Sequence, residues 1–250
     1  MRYGVCRQIV NMVQLPPSFI PCVVDFTARW RLCRTMLTTP LLLRRLHIDS
    51  VYARGNLTID RLGQSLPIRS EITAYKGWMS VKKREIVYPT GDTFLFDIMD
   101  GHVAVLVMPW NSQNKTFTIL EEYCPGPNKI LYSVVAGIFE AKHSSISDCA
   151  RFEAEEEAFL RGGRLIPLLK DENTSLQGSK YSTQTFLPFL LIDGYITQNA
   201  LPQDENELLQ PVSDVSPQDL FTIIQNGQMT GTGVMLSLLS IEMLRKMQQL

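Results

Sequence analysis

Glu153, Glu156 and Glu157 lie within the run Glu-Ala-Glu-Glu-Glu of residues 153–157, spaced i, i+3 and i+4. On a helix, at about 100° per residue, that spacing sets the three carboxylates on one face. Ile146, Cys149 and Leu160 project from the same face. Ala150 and Ala154 flank one side, Phe152 and Phe159 the other, and Asp148, Arg151 and Glu155 occupy the opposite face. A solvated helix keeps its acids on its polar side, so like charges on an otherwise apolar arc require something positive to face. Hard oxygen ligands on a rigid element suit Mg²⁺, or Mn²⁺ in its place, and Mg²⁺ keeps waters and substrate phosphates in its shell. The plain alternative is a solvated acidic face, the commoner meaning of such a run taken out of context.

The flanking sequence supplies the elements that must position these acids. An apolar stretch at 130–135 closes on Ala136-Gly137, a polar loop follows, and Ser145 with Asp148 three residues later offers a capping box. The expected helix runs from there to Gly162-Gly163, completing a strand, a loop and a helix. Upstream, residues 102–110 read as a strand buried on both faces, with His102 a strand-edge residue, and 116–121 as a second strand across the polar turn 111–114. Cys-Pro-Gly-Pro-Asn, residues 124–128, reads as a stiff irregular arm. Downstream, strands are expected at 164–169 and 186–192, the latter placed at an edge by Pro188, and a loop at 203–210. A helix starts at Ser216-Pro217 and ends at Asn226-Gly227. A last helix spans 234–247, with Leu236, Leu239, Met243 and Met247 on one stripe.

The central stretch resembles a Nudix box, in which a glycine opens a loop and an arginine–glutamate–hydrophobic–x–glutamate–glutamate helix binds metal. With the loop one residue longer than usual, as in plant-type ADP-sugar pyrophosphatases of the ADP-ribose pyrophosphatase branch, Glu153, Glu156 and Glu157 take the acidic positions. The ungapped register would instead use Phe152, Glu155 and Glu156. The resemblance covers about residues 71–247 and implies an α/β/α Nudix sandwich with a mixed sheet, preceded by a small β-rich segment. It implies Mg²⁺ held by Glu153, Glu156, Glu157 and the Ala136 carbonyl, with Gly137, Cys124 and Ser133 at substrate-facing positions. It also implies a homodimer in which the β-rich segment is exchanged, and a nucleotide-sugar substrate.

Several positions depart from that pattern. Phe152 stands where the box arginine is expected, or Arg151 is that arginine displaced; His143 and Ser144 lie where its acidic partner would be. Losing both members of an ion pair leaves no uncompensated charge. Phe159 replaces the glycine that ends the helix, Val134-Val135 replace Leu-Pro, Cys124 an arginine and Ser133 a glutamate. The later loop, residues 178–185, has no carboxylate. Two functions follow from different classes: hydrolysis of a nucleoside diphosphate linked to a sugar, by metal-activated water with His143 as a candidate base, or a scaffold subunit of a mitochondrial assembly without turnover.

The chain of 250 residues carries a formal net charge of −1, which gives a phosphate-neutralising nucleic-acid binder, or an enzyme acting on RNA ends, little support. Its five cysteines, Cys6, Cys22, Cys33, Cys124 and Cys149, are irregularly spaced, which suits a reducing compartment. No window approaches the length of a membrane-spanning helix. Residues 1–46 are rich in arginine (Arg2, Arg7, Arg29, Arg31, Arg34, Arg44 and Arg45), with Asp25 the acid among them. That composition reads as a mitochondrial transit peptide, the alternatives being an extension upstream of Met36 and a cytoplasmic protein. Residues 47–100 form the β-rich segment, with short runs at 51–53, 57–59, 71–75, 78–87 and 93–99 and a Pro-Thr-Gly-Asp turn. Residues 101–250 form the Nudix domain.

Overall fold

The computed structural model describes residues 62–203 and 207–250. The arginine-rich segment, the runs at 51–53 and 57–59, and Cys6, Cys22 and Cys33 lie outside the described residues. In chain order the elements are β1 (Ile68–Lys76), β2 (Ser80–Val87), β3 (Thr93–Asp100), β4 (Val103–Asn111), β5 (Thr116–Cys124), β6 (Lys129–Ser133) and β7 (Val135–Ile138). Then come α1 (Ile146–Ala158), β8 (Leu160–Arg161), β9 (Arg164–Pro167), β10 (Leu176–Gln177), β11 (Thr185–Ile192), β12 (Tyr195–Ile196), β13 (Leu209–Val215), α2 (Pro217–Gln225) and α3 (Gly231–Lys246).

β1, β2 and β3 form an antiparallel sheet of their own. The Pro-Thr-Gly-Asp turn joins β2 to β3: the Gly91 N–H reaches the Tyr88 carbonyl, and Gly91 takes the positive φ of 89° that the turn requires. The main sheet is mixed, in the order β10-β11-β4-β5-β13, with β6 on β5, β7 on β4 and β9 on β11. β4 and β11 run parallel over eight residue pairs, from Val103↔Thr185 to Trp110↔Ile192. β4 and β5 pair only beside their turn, at Trp110↔Phe117 and Asn111↔Thr116. Beyond those residues they part, β4 turning to β7 and β5 to β6 and β13. That parting opens a cleft in the sheet, and β7 brings Ala136-Gly137 to it.

Alternation along β4 sends its side chains to two cores. Ala104, Leu106, Met108 and Trp110 join Phe117, Ile119, Leu220, Leu236, Ile241 and Leu244 on the α2 and α3 side. Val105 and Val107 join Val135, Leu187, Phe189 and Leu191 beneath Cys149, Ala150, Ala154 and Ala158 of α1. The result is the α/β/α sandwich expected from sequence.

Some boundaries differ from expectation, each for a local reason. α1 stops at Ala158, because Phe159 adopts φ 59° and its N–H closes on the Ala154 carbonyl; Leu160 already belongs to β8. The 124–128 arm is a hairpin turn instead: β5 continues to Cys124, which pairs with Lys129. β11 is interior, and Pro188 falls in the gap between its two short partners, β10 at 185–186 and β9 at 189–192, where a missing N–H disturbs no pairing. Leu209 and Gln210 begin β13 and are not loop. α3 starts earlier, at Gly231, capped by the Thr230 hydroxyl. Its fully buried line is Leu236, Ser237, Ser240, Ile241 and Leu244, while Leu239, Met243 and Met247 are only partly covered.

Candidate functional site

α1 begins where its capping residues put it. The Ser145 hydroxyl accepts the Asp148 N–H at 3.0 Å, and the Asp148 carboxylate answers by accepting the Ser144 N–H, also at 3.0 Å. From that start the helix lies across the parting of β4 and β5 and lowers Glu153 and Glu157 onto β7. Both are buried, at 8% and 6% exposure. Glu157 Oε2 accepts the Ala136 N–H at 2.9 Å. Glu153 lies flat against Gly137, where a Cβ on the glycine would stand 1.9 Å from the carboxyl carbon. Gly137 is therefore the slot that admits the Glu153 side chain. Glu156, half-buried, completes the i, i+3, i+4 face expected from sequence.

The one acid that only the ungapped register would use is placed elsewhere. Glu155 turns away and is held by Arg161, whose Nε donates to it at 2.8 Å, and this pairing keeps its carboxyl below the usual range. Arg151, on the same outer face, donates to the carbonyls of Gly162 and Gly163 at 3.0 and 3.3 Å and so ties the turn that follows the helix. Phe152 meets the His143 ring edge-on at 5.4 Å, and the Lys142 ammonium sits 4.9 Å above its centre.

Electrostatics at Glu157 are unusual for a helix end. Burial pushes its carboxyl up to about 9, against the pull of the Ala136 N–H; Glu153, Glu207 and Glu122 push in the same direction as burial. The last turn of α1 holds no basic residue, so these acids also face the negative end of the helix dipole. An arrangement that disfavours its own negative charge from burial, neighbours and dipole together is one that a divalent cation would neutralise. The donor set of carboxylates and a main-chain carbonyl is the hard-oxygen set that Mg²⁺ or Mn²⁺ takes. The residues present fit such an ion.

The remaining sequence candidates are spread around this centre. Cys124 sits half-buried at the end of β5, its thiol directed to the Glu122 carbonyl at 3.8 Å and held above its ordinary pKa by burial and by the Glu122 charge. Ser133 is buried, with its hydroxyl 3.4 Å from the Val134 carbonyl that accepts from it. His143, a candidate base, is also buried. Loop 178–185 contributes no carboxylate, but Asp100 is packed onto it: the Thr183 hydroxyl donates to Asp100 at 3.2 Å, while Lys82 pairs with Asp100 at 2.9 Å. Sequence reasoning missed Glu122 and Glu207, whose charges reach Glu157 from β5 and from the segment before β13. Only the strand pairing Leu209↔Glu122 brings them together.

A cavity of about 450 Å³ lies between β3 and the start of β4, lined by Trp78, Met99, Asp100, His102, Ile138 and Gln184. Ile138, the last residue of β7 and the one after Gly137, forms part of its wall. Trp78, at the β1–β2 turn, is 96% exposed.

No protein-family model matches this sequence, and no curated protein matches it. Among solved structures, a crystal structure of an ADP compounds hydrolase superimposes with a TM-score of 0.64 at 18% identity, over 75% of this chain and 98% of that one. At that identity the likeness establishes the fold alone: the α/β/α sandwich is shared over nearly the whole of the matched protein.

Proposed function

We propose that this protein is a divalent-metal-dependent pyrophosphatase that hydrolyses nucleoside diphosphates linked to a sugar, of the ADP-ribose or ADP-glucose kind, to a nucleoside monophosphate and a sugar phosphate. The observation that carries the reading is the burial of Glu153 and Glu157 on Ala136-Gly137, with the Glu157 carboxyl pushed up to about 9. Mg²⁺ or Mn²⁺, held by Glu153, Glu156, Glu157 and the Ala136 carbonyl, would neutralise the diphosphate and acidify a water. The chain's own part is positioning. Gly137 admits Glu153, the Ala136 N–H fixes one oxygen of Glu157, and the capping of α1 fixes the height of both above the cleft. The cavity beside Ile138 is of a size for a base or ribose, and Trp78 offers a flat face at its rim. The likeness in fold to an ADP compounds hydrolase supports the same substrate class.

The surroundings of this site extend the reading to assembly and address. β1 is exposed along its whole length, and Ile68, Ile72, Tyr75, Phe94 and Leu95 present apolar surface on the small sheet. A second copy of the chain is the occupant in this reading, giving a homodimer. The arginine-rich first segment directs the protein to mitochondria. Among the described residues no helix is long and apolar enough to cross a membrane.

A second reading, a scaffold subunit without turnover, draws on loop 178–185, where Thr183 and Lys82 already engage the nearby carboxylate, Asp100. The deciding assay measures phosphomonoester release from a panel of nucleotide sugars and dinucleotides with Mg²⁺ or Mn²⁺. The doubly substituted Glu156→Gln, Glu157→Gln protein is run beside the unaltered chain. Turnover abolished by the two substitutions supports the pyrophosphatase. A folded protein that binds metal or nucleotide and turns over none of the panel supports the scaffold.

A further inference from the structure

Beside the all-oxygen donor set lies a second set of different chemistry. A ring nitrogen of His143, the Cys149 sulfur and a Glu153 carboxylate oxygen lie within 4.8 Å of one another, and all three residues are buried. His143 is only 7% exposed. Its Nδ1 turns back on its own loop and accepts the Glu140 N–H at 3.1 Å, while Nε2, facing the other way, has no hydrogen-bond partner. A buried ring nitrogen in that condition is costly and calls for an explanation. Cys149 is fully buried, its thiol directed to the Ile138 carbonyl at 3.7 Å, and burial with the neighbouring Glu153 charge pushes it up to about 12.

We propose that His143 Nε2, Cys149 Sγ and the Glu153 carboxylate form a binding site for a thiophilic divalent cation of the Zn²⁺ type, separate in chemistry from the hard-metal set but sharing Glu153 with it. Nitrogen, sulfur and one carboxylate are the ligands Zn²⁺ selects, and a thiolate is one that Mg²⁺ does not. Bond lengths of about 2.3 Å to sulfur and about 2.0–2.1 Å to nitrogen and oxygen bring tetrahedral ligands to roughly 3.5 Å from one another. Side-chain rotation from the present separations covers that difference. Three protein ligands leave a fourth position open.

The proton balance is definite. Binding releases the Cys149 thiol proton to solvent. The ring proton leaves Nε2 and is restored on Nδ1, for which the Glu140 N–H must turn away, and the thiolate no longer donates to the Ile138 carbonyl, so two hydrogen bonds are exchanged for three metal–ligand bonds. One proton is released overall. The functional consequence rests on the pyrophosphatase reading: an ion that takes Glu153 removes a ligand from the hard-metal set, so Zn²⁺ antagonises Mg²⁺-dependent turnover. The site itself does not depend on that reading.

The test titrates the metal-free, reduced, full-length protein with Co²⁺ as a spectroscopic substitute. The expected result is a thiolate-to-cobalt charge-transfer absorption with strong tetrahedral d–d bands, bleached by stoichiometric Zn²⁺ and absent in Cys149→Ala. Zn²⁺ titrations in buffers of different ionisation enthalpy should show release of one proton, and His143→Gln should weaken Co²⁺ binding by at least about tenfold. Circular dichroism checks that each variant is folded, and His143→Gln carries the test should Cys149→Ala not fold. No charge-transfer band, or a band that persists in Cys149→Ala because another cysteine supplies it, overturns the proposal. Mg²⁺-dependent hydrolysis measured on the same preparation separates the two readings: hydrolysis without the band removes the soft-metal site alone, and the band without hydrolysis removes the pyrophosphatase alone.

Discussion

The two faces of the main sheet are covered by helices of opposite character. α2 and α3 bury Leu220, Leu236, Ile241 and Leu244, branched aliphatic side chains that fill volume, with the small hydroxyls of Ser237 and Ser240 among them and no charged group. α1 buries Cys149, Ala150, Ala154 and Ala158, and between them Glu153 and Glu157. The small residues let α1 approach β7 closely, and that approach is what drives two carboxylates against Ala136 and Gly137. One face is built for stability. The other gives some stability up by holding acids where burial and one another disfavour their charge.

The largest effect should come from the stabilising face. Leu244→Ala removes a fully buried side chain and leaves a cavity, which costs about 2–5 kcal/mol. Denaturant unfolding of the metal-free protein should show that loss. A Leu244→Ala protein of normal stability would mean that α3 does not anchor the fold.

On the other face the balance should reverse. Gly137→Ala places a methyl group 1.9 Å from the Glu153 carboxyl carbon and must expel that side chain from its slot. Under the proposed function, turnover should fall by about 10² or more, an effect comparable to removing one preorganised charge-stabilising group. Stability should change far less than in Leu244→Ala, because Glu153 moves out toward solvent. Turnover that survives Gly137→Ala would remove Glu153 from the proposed centre.

Metal-free Glu157 should give the faces different responses to pH. Its carboxyl is raised from an ordinary value near 4.5 to about 9, so between those values the folded protein holds the proton more firmly than the unfolded chain. The contribution is whole below about pH 4.5 and is lost as pH rises toward 9, with a slope of at most about 1.4 kcal/mol per pH unit. Melting temperature without metal should therefore fall over that window. Glu157→Gln should flatten the fall, and saturating Mg²⁺ should oppose it. A fall of the same steepness in Glu157→Gln would assign the effect to other groups.

What the sequence made legible follows from range. The α1 face was readable because helical spacing is local, and the α/β/α architecture because each strand and cap carries its own signature: Ser145 with Asp148, Ser216 with Pro217, and the alternation along residues 103–110. The end of α1 was misplaced because a phenylalanine in the left-handed region carries no turn signal, whereas Gly162 and Gly163 do. Pro188 suggested an edge because the sequence cannot show two short partners meeting on either side of it. Glu122 and Glu207 went unrecognised for a related reason: they approach Glu157 through the non-local pairing of β13 with β5. From sequence, His143 reads as a candidate base in a loop. Its burial between Phe139 and Phe152, with Cys149 and Glu153 alongside, depends on how the loop folds back onto α1.

The smallest effect is the one that most sharply separates the faces within a single helix. Glu155 lies between Glu153 and Glu157 in a run of near-identical residues, yet it turns to Arg161 on the outer face. An ion pair with one half-exposed partner contributes about 0–1 kcal/mol, and less in high salt, so Glu155→Gln should lower stability by no more than that. The same change at Glu157 removes a charge from the buried set; at Glu155 it removes a charge that the proposed metal ligands never meet. Turnover of Glu155→Gln should therefore stay within about twofold of the unaltered protein, well below the threshold of one lost catalytic interaction. Measuring kcat/KM for the two glutamine variants side by side reads the helix register directly. A Glu155→Gln protein as impaired as Glu157→Gln would shift the working face by one residue and restore the ungapped alignment of the box.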